Sequence, residues 1–317
     1  MARTLFGIFL LWLLSVSHVT AGSAQIDYPL TRLTDNVYVI FGPLELPDEK
    51  NQGFRNNIGI IQTSKGVVIS DPGGSASAGE MVVRKVKTLT KKPIVAVFNS
   101  HAHGDHWLGN EAIKKHYPSA TIYGHPNMKK KVESAEGTRW VDMINQRTKN
   151  TANGKRAVAP DNTVNDGDLI TIGDTKFRVH HTGRAHSDND IMVEVIDQKI
   201  LFTGDVVRNG MLGLMNEDAS FVGNINAIDV ILKKEFDLYI PGHGKSGRHE
   251  IAKNYRNYLN IVYTSVKKMY AQGLADFEMK KTIKKSVSRY KNWVAFDMLL
   301  GPSISRAYLE VEAEEFQ

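Results

Sequence analysis

Cysteine does not occur anywhere in the chain. Its absence excludes disulfide staples and lipoprotein anchoring, so stability has to come from a packed core. The 317 residues, 42% hydrophobic and 23% charged, are enough to build one large core without staples. Long apolar runs are also missing. After residue 24 no run reaches the about 20 residues that a transmembrane helix needs. The strand-rich part shows no repeat period. There is no Ser-His-Asp pattern for a protein nucleophile, and no aromatic-basic motif that would point to nucleic acid.

The first 24 residues differ from the rest. Arg3 gives a positive start, residues 5–16 are almost unbroken apolar, and Ala21, Gly22, Ser23 and Ala24 follow. This is the pattern of a signal peptide, with an apolar run too short to span a bilayer. The expectation is a mature chain that is periplasmic or secreted and has no stable membrane span after cleavage. An uncleaved anchor is the competing reading.

The formal net charge of +6 is unevenly spread. Residues 129–156 carry eight Lys or Arg against three acids, and residues 251–317 carry eleven against seven. Such stretches are either solvated surface or attract acidic substrates. The first reading is favoured for the tail, and the two are balanced for the insertion.

Short β-rich runs are expected at residues 37–41, 58–62, 67–70, 94–98 and 120–123. Helical spacing recurs at 80–89 and 111–116. A polar, basic stretch at 126–160 contains one short helix around 140–146. Strands resume at 169–172, 177–181, 191–196, 200–203 and 238–240, with a helix at 226–236. From about His249 the texture is helical only, with Tyr255, Leu259, Val262, Val266 and Met269 at helical spacing. Further helices are expected at 277–293 and 303–314. The pattern predicts an α/β layered fold. Residues 1–24 are the leader, 25–248 the catalytic domain with a basic insertion at 126–160, and 249–317 a helical extension, either packed or a subunit contact.

Chemistry concentrates in seven residues. Four are clustered as His101-Ala102-His103-Gly104-Asp105-His106. In extended backbone His101 and His103 project to the same side, and Gly104 lets Asp105 and His106 turn toward a second metal. His186, Asp205 and His243 arrive singly, each where a strand is expected to end. Neutral imidazole suits zinc, and carboxylates add charge neutralisation. Two metals sharing one water lower its pKa toward about 7, which makes a hydrolytic catalyst. His116, His125, His180, His181 and His249 read as structural.

Over residues 36–245 the order of motifs resembles the metallo-β-lactamase fold superfamily: Asp71 after the third strand, then the His-rich segment, His186, Asp205, and His243 in Pro241-Gly242-His243-Gly244. The resemblance implies an αββα sandwich with two zinc ions at the top of its sheets. His101, His103 and His186 would hold one ion, and Asp105, His106 and His243 the other. Asp205 and a hydroxide would bridge them, and Asp71 would orient the His loop. Proton delivery would fall to Asp105 or to water, and residues 43–54 would form a flap.

Asp205 at the bridge looks like glyoxalase II and the broad hydrolase branch. The best-known zinc β-lactamases carry a Cys there. Gly183-Arg184-Ala185-His186-Ser187 with Phe202-Thr203-Gly204-Asp205 is similar to exported zinc metallohydrolases associated with sulfur oxidation and quinoprotein systems. Diiron flavoproteins of the fold carry Glu where His103 stands. The insertion at 126–160 lies outside the shared core.

The expectation is an exported dinuclear zinc hydrolase acting on a small, anionic ester, thioester, lactone or amide. Iron and manganese are also compatible with the ligands. β-Lactam hydrolysis is the competing reaction. A metal-dependent binding or relay protein is the non-enzyme alternative, with a partner on the helical tail. The partners expected are a small-molecule substrate and, through the tail helices, a second copy of the chain.

Overall fold

The computed structural model describes residues 25–315; the expected leader at 1–24 lies outside the described residues. Among them, two sheets carry the fold. The first runs β1 (Leu30–Arg32), β2 (Val37–Ile40), β3 (Ile58–Gln62), β4 (Val67–Ser70), β5 (Ile94–Phe98), β6 (Thr121–Gly124) and β7 (Asn162–Thr163) in spatial order. It is antiparallel up to β4 and parallel beyond. The second contains β8 (Leu169–Ile172), β9 (Thr175–His180), β10 (Met192–Val195), β11 (Ile200–Arg208) and β12 (Leu238–His243), with only the β11–β12 pair parallel.

The period-two alternation of apolar residues sorts the faces. Val37, Val39, Ile61, Val68, Ala96 and Phe98 of the first sheet meet Phe177, Val179, Val193, Val195 and Phe202 of the second in one cluster. Their neighbours Ile58, Ile60, Ile69 and Val97 face outward, under helices α1 (Ala76–Leu89) and α3 (Asn110–His116), which precede and follow the short α2 (Gly104–Trp107). Gly59 sits on the inner face, where a Cβ would come within 2.3 Å of the Phe202 ring. The missing side chain lets the ring fill the space between the sheets.

The stretch at 126–160 is more helical than its polarity indicates. It forms α4 (Pro126–Glu133) and α5 (Ala135–Arg147), where a single short helix was expected. The His125 and Ser134 side chains cap them by accepting backbone N–H bonds. Met128, Val132, Val141 and Ile144 then pack on Trp107 and Leu108, so the insertion rests on the segment that follows residues 101–106.

Helix α6 (Phe221–Leu232) begins earlier than residue 226 because Ser220 caps it at the Gly223 N–H. It packs with α7 (His249–Tyr270), α8 (Asp276–Ser286) and α9 (Phe296–Glu315) in one cluster over the second sheet. The second tail helix therefore ends at Ser286, with a 3-10 turn at Ser288–Tyr290, and does not run on to residue 293. The third starts at Phe296, not 303, and keeps Pro302 inside it, because Leu300, Ile304, Ala307 and Val311 are buried together. No described helix is long and apolar enough to cross a membrane.

Candidate metal centre

All the singled-out ligand residues converge at one end of the two sheets. β5 ends at Phe98 and delivers the His loop; the turn after β9 delivers His186. Asp205 and His243 lie inside strands, not after them as expected, since β11 continues to Arg208 and β12 includes His243. The extension of β11 is irregular. Its register against β12 shifts on both sides of Gly204, and this turns the Asp205 carboxylate to the sheet end. Gly242 makes room for it, because a Cβ there would come within 2.1 Å of Asp205 Oδ1.

Three groups of ligand atoms lie within 4.8 Å of one another: His101, His103 and His186; Asp105, His106 and His243; and His101, His106 and Asp205. In the first group His103 Nδ1 is 3.0 Å from both His101 Nε2 and His186 Nε2. That is close to the edge of a tetrahedron whose zinc–nitrogen arms are about 2.0–2.1 Å long. In the second group His243 Nε2 lies 3.2 Å from Asp105 Oδ2. Asp205 touches both: its Oδ2 is 3.5 Å from His186 Nε2 and 3.5 Å from His106 Nε2, and its Oδ1 is 3.5 Å from His243 Nε2.

The rings are held from behind. Asp71 accepts hydrogen bonds from the Ser100 backbone N–H and hydroxyl, each at 2.7 Å, and from His106 Nδ1 at 2.9 Å. Asp71 itself adopts φ +52°, a left-handed conformation that costs free energy in a non-glycine residue. His243 Nδ1 donates to the Arg55 carbonyl at 3.1 Å. Asn189 Oδ1 accepts from the Ala102 N–H at 2.8 Å and ties the His loop to the turn that carries His186. With Nδ1 engaged, the outward atoms of His106 and His243 are their Nε2 atoms.

Those atoms test whether metals fit. His106 Nε2, His243 Nε2 and Asp205 Oδ1 are buried and have no hydrogen-bond partner. Unsatisfied polar atoms in one spot are costly, and cations between them remove the cost. Protonation runs the same way. Burial pushes the pKa values of His101, His103, His186 and His243 down, which favours neutral imidazoles. Burial alone would raise Asp105 and Asp205. His106 and His243 beside Asp105, and Arg208 with His243 beside Asp205, instead hold both well below the usual carboxylate range. His106 is pushed up against its burial by Asp205, Asp71 and Asp105. A second cationic charge is favourable where His106 sits, and a metal answers the same field. The donors therefore fit two divalent ions of zinc type.

The five histidines read as structural lie outside these groups. His116 pairs with Glu80, His180 with Glu194, and His125 stacks on His181 with ring centroids 4.2 Å apart. His249 opens α7.

Sequence reasoning missed Arg55 and Arg208. Arg208, buried three residues beyond Asp205, donates to the Asp205 carboxylate through Nη2. No local signal in the sequence marks either arginine as facing a cavity. A cavity of about 700 Å³ opens beside the ligands, lined by Leu46 and Pro47 from the expected flap, by α5 and by residues just after β11 and at the start of α9.

A family model described as the metallo-beta-lactamase superfamily matches residues 52–243. A hydroxyacylglutathione hydrolase of Francisella tularensis subsp. novicida is 25% identical over 195 residues, 61% of this chain; the chain spans 64% of that protein's length. A human acyl-coenzyme A thioesterase is 26% identical over 250 residues, covering 73% of this chain and 88% of that protein. A solved metallo-beta-lactamase from Pontibacter korlensis superposes with a TM-score of 0.59 at 19% identity, covering 73% of this chain and 98% of its own, which supports a common fold.

Proposed function

The chain belongs to the metallo-beta-lactamase superfamily, and from that premise we propose that it is an exported dinuclear zinc hydrolase that cleaves an ester or thioester. The observation that carries this reading is Asp205, whose carboxylate lies 3.5 Å from donor nitrogens of both ligand groups. His101, His103 and His186 would hold one ion, Asp105, His106 and His243 the other, and Asp205 both. Two such ions supply an activated water and Lewis acidity at neutral pH.

The chain's own residues do the rest. Asp71, Ser100 and the Arg55 carbonyl fix the imidazole tautomers and ring orientations. Asp105 lines the cavity and is kept ionised by His106 and His243, so it would serve first as a metal-holding carboxylate, and a proton would pass to the leaving group by way of Asp105 or water. The cavity holds and orients the substrate so that its acyl carbon reaches the ligand end of the sheets. Water adds across the acyl bond, giving a carboxylic acid and an alcohol or thiol. Thioesters come first because two relatives are named as a hydroxyacylglutathione hydrolase and an acyl-coenzyme A thioesterase. The absence of cysteine separates the chain from the best-known zinc β-lactamases.

Purified protein reconstituted with zinc is assayed on a panel of esters, thioesters, lactones, amides and a chromogenic cephalosporin. Expected is turnover of esters or thioesters that a chelator abolishes and zinc restores. Turnover confined to the cephalosporin would replace this reading with β-lactam hydrolysis, and none on any member would overturn it. Export is tested by cell fractionation with N-terminal sequencing; protein confined to the cytoplasm would contradict it, and a retained Met1 on membrane-bound protein would favour the uncleaved anchor.

A further inference from the structure

The cavity beside the ligand groups has two chemically different walls. One is cationic. Arg208 is only 6% exposed, and its Nε, like that of Arg55, is buried without a hydrogen-bond partner. Arg55 Nη1 lies 3.8 Å from Asp105 Oδ2. Arg55 and Arg208 line the same space. Arg139 and Arg147 of α5 line it too, so four guanidiniums face Asp105, Glu136 and, through the Arg208 Nη2 bond, the buried Asp205. Arginine does not give up its proton in a protein. Clustered arginines with free N–H groups are therefore a binding site for an oxyanion.

The rest of the lining is mostly apolar. Trp140 and Met143 come from α5, Leu212 from the segment after β11, and Met298 and Leu299 from α9. The chain fixes this wall by pairing Val294 N–H with the Gly210 carbonyl and Leu212 N–H with the Val294 carbonyl, each at 3.0 Å. All three contributors, the basic insertion, the segment after β11 and the helical tail, lie outside the two sheets. An exposed apolar wall in a cavity points to an apolar ligand surface.

Building on the hydrolase reading, we propose that the substrate is an amphipathic anion. A carboxylate, sulfate or phosphate group is held by Arg55 and Arg208, and an apolar chain lies along Trp140, Met143 and Met298. The anionic group sits next to the ligand end of the cavity, which places the labile bond near it. The chain leaves toward the rim, where Met298 is 53% exposed.

The test is calorimetric binding of decanoate, decyl sulfate, decyl phosphate and the neutral decanol, below their micellar concentrations, to zinc-loaded and to metal-free protein. In both states at least one anion is expected to bind about tenfold tighter than decanol, the tightest head group identifying the oxyanion. Arg55→Gln should lose about tenfold and Arg55→Lys should recover part of it. Each methylene removed from the chain should weaken binding about three- to fourfold, and less in Trp140→Ala. Arg208→Lys, read in zinc-loaded protein, serves if Arg55→Gln does not fold. Anions that bind no better than decanol, wild-type binding in the arginine variants, or binding only when zinc is present would each overturn the proposal. Ester or thioester turnover without anion preference would sink this inference alone. Tight anion binding without turnover of any panel member would sink the hydrolase reading and leave the site standing.

Discussion

Asp205 and Arg208, three residues apart on β11, are hydrogen-bonded to each other at the floor of the cavity, and both are buried. The pair makes the Asp205 charge tolerable in protein without metal. Removing one partner of a buried ion pair leaves an uncompensated charge, which costs about 3–5 kcal/mol. Arg208→Met should therefore destabilise metal-free protein by about that amount. Zinc-loaded protein should lose markedly less, because divalent cations then neutralise Asp205. Melting temperatures of both forms, with and without zinc, check this; equal losses would refute it.

Asp71→Asn keeps a side chain that tolerates the left-handed φ of +52°. It removes the charge that accepts from His106 Nδ1 and from Ser100. Partners behind a metal-binding histidine are typically worth about 10–100-fold in metal affinity. Competition with a zinc chelator should show a loss of that size, with the far-UV circular dichroism spectrum unchanged.

His125 predicts a pH effect away from the metal ligands. Burial, with His181 stacked against it, lowers its pKa to about 4. The unfolded chain takes up a proton near pH 6.5, whereas the folded chain resists until about 4. The stability this group contributes is complete above pH 6.5 and is lost as pH falls through about 4. His125 also caps α4. His125→Asn keeps a capping oxygen and removes the titration. Thermal melts of the variant from pH 7 down to pH 4 should fall less steeply than those of the wild type; parallel curves would count against the assignment.

Gly242→Ala places a methyl group within 2.1 Å of Asp205 Oδ1 and 2.9 Å of the Gly204 backbone. Overpacking at such a contact costs about 1–3 kcal/mol. Here it should also turn the carboxylate aside, so urea denaturation and zinc titration should worsen together.

The candidate ligand residues were legible as a set, because metal chemistry restricts residue type and His, Asp and Gly recurred after apolar runs; the fold brings them together. The sandwich was legible because alternation along residues 58–61 and 67–70 sorts inner from outer faces. The end of β11 was not, since local propensity stops at Thr203 whereas pairing with β12 carries the strand to Arg208. α9 was cut short at Pro302, where tertiary burial of Leu300 and Ile304 outweighs the proline. Arg55 and Arg208 escaped because nothing local tells an arginine facing solvent from one facing a cavity. The insertion looked like polar surface because its apolar residues are spaced for α4 and α5, and Met128 and Val132 become core only against Trp107.

Metal content read by mass spectrometry after zinc saturation and gel filtration, on wild type beside Asp205→Ala, addresses the two-ion site most directly. Two equivalents per wild-type chain, falling to one or none in the variant together with hydrolysis, is the expected result. A wild type that never exceeds one equivalent, or a variant that keeps both metals and its rate, would contradict a carboxylate shared between two ions.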